Sequence, residues 1–306
     1  MNRLFISIIF VTMTFIGFSV FANDEKIAKD ILKNKFTTNI NNKIKNLASN
    51  IANTISNYDN VEYLEINTEF NDNEKASLNL LNVNKISGNN NLVLFNQNSL
   101  SLHGDNQTIN FGLGVRNLIH DDRIIIGANI FYDYSFEEKH QRNGVGFEGK
   151  SSLLDLTSNF YNATSGIETT TNGTEEALSG QDMRLDYHLP IKGNNDFFVN
   201  FFKFENDKKT YKQEGSQIGL SSKFKNISFE LGYQDDNKGN DGSFAKIGYV
   251  FKFGKTNESS SKEICSFCIS PTKMVSVKDR LYEPVKRENK IRVVKIAASG
   301  MTVSGF

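Results

Sequence analysis

From Gln107 to Gly166 apolar residues alternate with polar residues or glycine. Within Thr108–Leu118 one track holds Ile109, Phe111, Leu113 and Val115, and the other holds Asn110, Gly112, Gly114 and Arg116. Alternation with period two gives a strand one apolar face and one polar face. Soluble sandwiches contain such strands as well. Here the pattern recurs from Val61 to Phe253 with almost no helix between, behind an apolar leader. A closed barrel with lipid outside and water inside fits that best.

The pattern predicts twelve strands. They are Val61–Phe70, Lys75–Val83, Leu92–Leu102, Thr108–Leu118, Arg123–Tyr134, Arg142–Gly149, Leu153–Tyr161, Asp182–Leu189, Phe197–Phe204, Ser216–Phe224, Ile227–Gln234 and Phe244–Phe253. Most have the length that a tilted strand needs to cross hydrocarbon, about 9–11 residues. The expected fold is therefore all-β, a twelve-stranded antiparallel transmembrane barrel over residues 61–254. The connections partly sort by parity, which outer-membrane barrels show. Ser135–Gln141, Asn162–Gln181, Glu205–Gly215 and Asp235–Gly242 are long, whereas Ile119–Asp122, Lys150–Ser152, Pro190–Asn195 and Lys225–Asn226 are short. Asn162–Gln181 is rich in Thr, Gly and Ser and reads as a flexible loop.

The flanks differ from the barrel. Met1–Ala22 has Arg3, an apolar run from Leu4 to Phe21, and Val20-Phe21-Ala22 before charged residues, the form of a cleaved signal peptide. Residues 23–60 place Ile27, Ile31, Ile40, Ile44, Leu47, Ile51 and Ile55 at helical spacings, which predicts a periplasmic amphipathic helix. Residues 255–306 open on a polar linker and carry ten Lys or Arg against five Asp or Glu. A basic tail beside an otherwise acidic chain gains from attraction inside a partly desolvated channel. The whole chain has a formal net charge of +0, so bulk charge points to no nucleic-acid partner. Its 25 Phe and 10 Tyr suit interfacial girdles.

Several segments, in order, resemble the translocator barrel of inverse autotransporters, the intimin and invasin family. They are Asn110-Phe-Gly-Leu-Gly-Val-Arg116, Gly127–Tyr134, Gln141–Glu148, Asn159-Phe-Tyr161, and Asp182–Arg184 closing at Leu189-Pro190. The resemblance implies an outer-membrane location after Sec export, lipid and the barrel-assembly machinery with periplasmic chaperones as partners, no cofactor, and a linker returning through the pore. Arg116, Asn129, Asp133, Arg142, Glu148, Arg184 and Asp186 share the parity of the strand glycines and are expected to face the lumen. The final strand, with Lys246, Gly248, Tyr249, Phe251 and Phe253, is similar to the terminal signal read by the assembly machinery. Val285, Arg287, Asn289 and Ile291 look like the segment where the family's passenger starts. Only about fifteen residues follow it, so a host receptor bound through a passenger is not expected.

Other chemistry is sparse. Cys265-Ser-Phe-Cys268 sits in linker-like sequence, with no second pair to complete a zinc site, and reads as a local disulfide or two idle thiols. His103, His120, His140 and His188 show no triad spacing and no nucleophile elbow, so no enzyme is expected. The expected function is a barrel anchor that threads its tail for surface display. A stand-alone channel and a loop-mediated adhesin are the alternatives.

Overall fold

The computed structural model describes residues 60–253, apart from 73, 90, 104–105, 171–172 and 192, together with 274–296 and 302–303. The leader, the helix expected over residues 23–60 and the cysteine pair lie outside the described residues, except that Asn60 is a turn residue. Among the described residues no helix is long and apolar enough to cross a membrane, which says nothing about strands.

Seven strands run in sequence: β1 (Val61–Asn71), β2 (Glu74–Gly88), β3 (Leu92–His103), β4 (Asn106–Ile119), β5 (Ile124–Ser135), β6 (Gln141–Ser151) and β7 (Leu154–Ala163). A hairpin, β8 (Ile167–Thr170) and β9 (Gly173–Ala177), then leaves the wall. The wall resumes with β10 (Ser179–His188), β11 (Asn194–Glu205), β12 (Lys212–Phe224), β13 (Ile227–Asp236) and β14 (Gly242–Lys252). Twelve strands close antiparallel, with β14 pairing β1 and β10 pairing β7. The predicted strands are all present, and the largest shift is in β2, which runs on to Gly88.

Closure leaves the barrel no exposed edge, so the backbone groups of its twelve strands find partners within the wall. The two ends differ. One end, here the turn end, carries the connections 120–123, 152–153, 189–193 and 225–226, and the other, the loop end, carries 136–140, 164–178, 206–211 and 237–241. At the turn end His120, Asp121 and Asp122 take φ of 58°, 56° and 64° in succession. Aspartate tolerates this left-handed conformation better than most residues, which lets β4 reverse tightly into β5.

The outward track is apolar and exposed from β4 to β13, with Ile126, Val145, Phe147, Leu156, Leu185, Leu220 and Leu231 among its members. Aromatic residues gather toward both rims. Tyr132 and Tyr233 lie toward the loop end, and Tyr187, Phe197 and Phe224 toward the turn end. β2 and β3 depart from this rule, because register aligns outward Asn82 with Asn98 and Asn84 with Asn96. Their amides bond one another, Asn84 Nδ2 to Asn96 Oδ1 at 3.0 Å and Asn98 Nδ2 to the same oxygen at 2.6 Å. Mutual bonding reduces the cost of polar groups on that face.

Residues 274–296 lie against the inner wall. Val275 N donates to Ser152 Oγ (3.1 Å) and Val277 N to Asp122 O (2.7 Å), both at the turn end. At the other end β15 (Val293–Ile296) pairs with β9, and β16 (Thr302–Val303) with β15, making a four-stranded sheet with β8. The segment expected to be a flexible loop over Asn162–Gln181 is thus corrected: it holds β8 and β9, ordered by pairing with residues far along the chain.

Candidate functional site: the lumen and the segment within it

Register stacks the inward side chains in rows around the wall. One row reads Gly112, Phe131, Gly144, Tyr161, Gly180, Phe204 from β4 to β11. Aromatic rings lie over neighbouring glycines; a Cβ on Gly112 would sit 2.2 Å from the Phe131 ring. Most of the glycines therefore make room for wall side chains. Gly144 is different, with Arg287 of the inner segment 3.3 Å from where its Cβ would be.

Another row sets Arg116, Gly127 and Glu148 side by side. Because Gly127 has no side chain, Arg116 reaches across β5 and pairs with Glu148 at 2.6 and 3.0 Å, both residues being buried. Arg116 Nη1 also donates to the carbonyls of Leu281 (2.6 Å) and Glu283 (2.7 Å). Its guanidinium lies 4.4 Å from the Phe95 ring centre, a cation–π contact.

Asp133 is the centre of a second cluster. It accepts from Arg142 Nε (2.8 Å), Asn110 Nδ2 (2.7 Å) and Arg287 Nη1 and Nη2 (2.9 and 2.7 Å). Arg287 lies 4.1 Å from the Phe131 ring centre, and Arg142 lies 4.3 Å from that of Tyr161. A forked guanidinium satisfies a carboxylate at two points, which suits a buried pair. Further round, Arg184 pairs with Asp186 (3.0 Å) and Glu230 (2.8 Å), and Asp186 takes Lys286 Nζ at 2.7 Å. Asn129 is buried between Gly114 and Gly146 in its row, and its amide makes no hydrogen bond.

The remaining sequence-selected residues fall as follows. Lys246 faces inward, 3.4 Å from Glu69 and 3.5 Å from Glu230. Gly248 shares its row with Asn67 and Ser228, while Tyr249 and Phe251 occupy the opposite, outward track, and Phe253 N bonds Glu62 O at 3.0 Å. Val285 exchanges bonds with Gln97, its N donating at 2.7 Å and its O accepting at 3.3 Å. Asn289 O accepts from Asn110 (2.9 Å), and Ile291 is buried.

Sequence reasoning did not select Gln97, Asn110 or Asn159 as functional, although their inward parity was available. Nor did it foresee Arg280, which bonds Asp155, Ser151 O (2.7 Å) and His188 Nε2 (3.1 Å) at the turn end. His188 in turn contacts Asp196 at 2.6 Å. Apolar side chains complete the fit. Val277 and Leu281 pack on Val93, Leu118 and Ile125, and Val285 packs on Phe95 and Phe131.

At the loop end Glu138 is buried and accepts from Asn106 Nδ2 and from Ser135 Oγ (3.2 Å). Burial, and then the charge of Glu175, push its carboxyl above the usual 4.5. A raised carboxyl favours the neutral form, so its stabilisation is full below the ordinary value and lost as pH rises through the raised one. Glu138→Gln should therefore raise the unfolding temperature near pH 7.5 and leave it unchanged near pH 4, read from heat-dependent gel mobility.

A closed antiparallel cylinder, apolar outside with aromatic rims and polar within, is an outer-membrane β-barrel. The family model described as "Inverse autotransporter, beta-domain" matches residues 17–289, and the chain belongs to that family. A chain solved in work on the in-meso crystallization of membrane proteins aligns over 76% of this chain and 98% of its own, at 18% identity and TM-score 0.64. KdgM porin aligns over 63% of this chain and 99% of its own, at 10% identity and TM-score 0.45. No curated protein matches the chain.

Proposed function

We propose that this barrel is a translocator that holds its own C-terminal segment in the pore and presents the end of that segment at the cell surface. The reading is supported most by one observation, the series of bonds that residues 277–290 make to the inner wall, from Asp122 at the turn end upward, and that Val293–Ile296 make to β9 at the loop end. The barrel would make export cheap by topology. Polar backbone crosses the membrane facing polar wall groups, so it never meets hydrocarbon. Met1–Ala22 would direct Sec export, and chaperones would deliver the chain to the assembly machinery. That machinery would read Lys246, Gly248, Tyr249, Phe251 and Phe253 as its terminal signal.

A protease-cleavable tag at Phe306 on intact cells tests the reading. Surface cleavage is the expected result, and a tag cut only after the outer membrane is permeabilised would reject it. In the same cells, Tyr249→Ala with Phe251→Ala should lower the amount of folded barrel. Unchanged folded barrel would remove the assembly-signal role.

A further inference from the structure

The inner segment favours one side of the lumen. Its hydrogen bonds to the wall go to β3 through β7 and to β10: Gln97, Asn110, Arg116, Asp133, Arg142 and Asn159 carry most of them. On the facing wall Lys223 stands 4.0 Å from Glu283. Between the segment and that facing wall lie two cavities, of about 240 Å³ toward the loop end and about 250 Å³ toward the turn end. Each far exceeds the ~10–15 Å³ that admits one water. The two share Asn67, Glu69, Gln217 and Lys246 of the wall and Arg287, Glu288 and Arg292 of the segment as lining, so they meet at one level of the barrel.

The lining combines amides and hydroxyls with charged side chains. Asn71, Asn79, Ser101, Gln213 and Gln234 border the loop-end cavity, and Ser221 and Ser228 the turn-end one. Charges at the junction are paired: Lys246 with Glu69 and Glu230, Glu230 with Arg184, Arg287 with Asp133, and Arg292 with Glu288. Amides and hydroxyls can replace the water around a hydroxyl-bearing solute, whereas paired charges present no net field to draw an ion.

We propose that the two cavities form a passage for small, uncharged, hydroxyl-rich solutes such as monosaccharides, open while the inner segment is in place. This is a transport activity beside display of the tail, and it does not depend on that reading.

Proteoliposomes carrying the full chain provide the test, by swelling in isotonic sugar. Arabinose should cause swelling several-fold faster than in protein-free liposomes, and the trisaccharide raffinose should not. Gln217→Trp, at the junction, should return the arabinose rate to the protein-free value, and Ile218→Trp on the outer face should leave it unchanged. If Gln217→Trp yields no heat-modifiable folded band, Ser221→Trp, on the same inward track, takes its place. The proposal is overturned if the full chain swells no faster than empty liposomes. It is overturned equally if a folded junction variant conducts as well as the parent, or if swelling appears only after Lys255–Phe306 is deleted. A tag at Phe306 reports export in the same preparations, so loss of one activity can be told from loss of the other.

Discussion

Asp133→Ala lowers the stability of the folded barrel by roughly 3–5 kcal/mol, the usual cost of removing one partner from a buried ion cluster. The substitution leaves the guanidiniums of Arg142 and Arg287 facing each other with no carboxylate between them. Their side chains are 0% and 1% exposed, so water cannot take over the role. The check is the urea midpoint of the heat-modifiable band in detergent or lipid. An exposed pair gives the contrast: Lys203 and Glu205 lie 3.1 Å apart, with Lys203 41% exposed. Lys203→Ala should cost less than about 1 kcal/mol. Equal losses at the two positions would mean that the lumen cluster is wet and carries little energy.

The second large effect is on the outside. Ile130 and Ile191 are both 58% exposed, and in water arginine at either position would be nearly neutral. Ile130 is mid-strand in β5, on the lipid-facing track, whereas Ile191 is in a turn-end connection. Ile130→Arg should cost roughly 2–4 kcal/mol, the penalty of a cation at the lipid midplane, and Ile191→Arg about 0–1. The same urea titration in lipid vesicles reads both. Two equal and small effects would place Ile130 in water and remove the bilayer from the account.

Much of this was legible because strand alternation is local. Tracks such as Asn110, Gly112, Gly114 and Arg116 name the inward face without any knowledge of neighbours, and register then carries that face around the wall. The hairpin in Asn162–Gln181 was missed because Thr, Gly and Ser dominate it. The signal present was Asn172-Gly173 between Thr-rich arms, a turn-prone pair at the start of β9. Gly173 takes φ of 117°, which a side chain would resist. The pairing of Val293–Ile296 with β9 had no local signal, since its partner lies more than a hundred residues away. The role of the glycines also needed the structure, because sequence shows that Gly112 is small but not that Phe131 fills the space above it.

The wall meets the inner segment at its main chain as well as at its side chains. Arg116, Asn110, Arg142 and Asn159 each donate to a backbone carbonyl, of Leu281 and Glu283, Asn289, Glu288 and Lys286 respectively. Every amino acid carries that carbonyl. That part of the rail is therefore indifferent to sequence: a foreign peptide spliced into this stretch would keep those main-chain grips and lose only the ion pairs of Arg280, Lys286 and Arg287 and the packing of Val277, Leu281 and Val285.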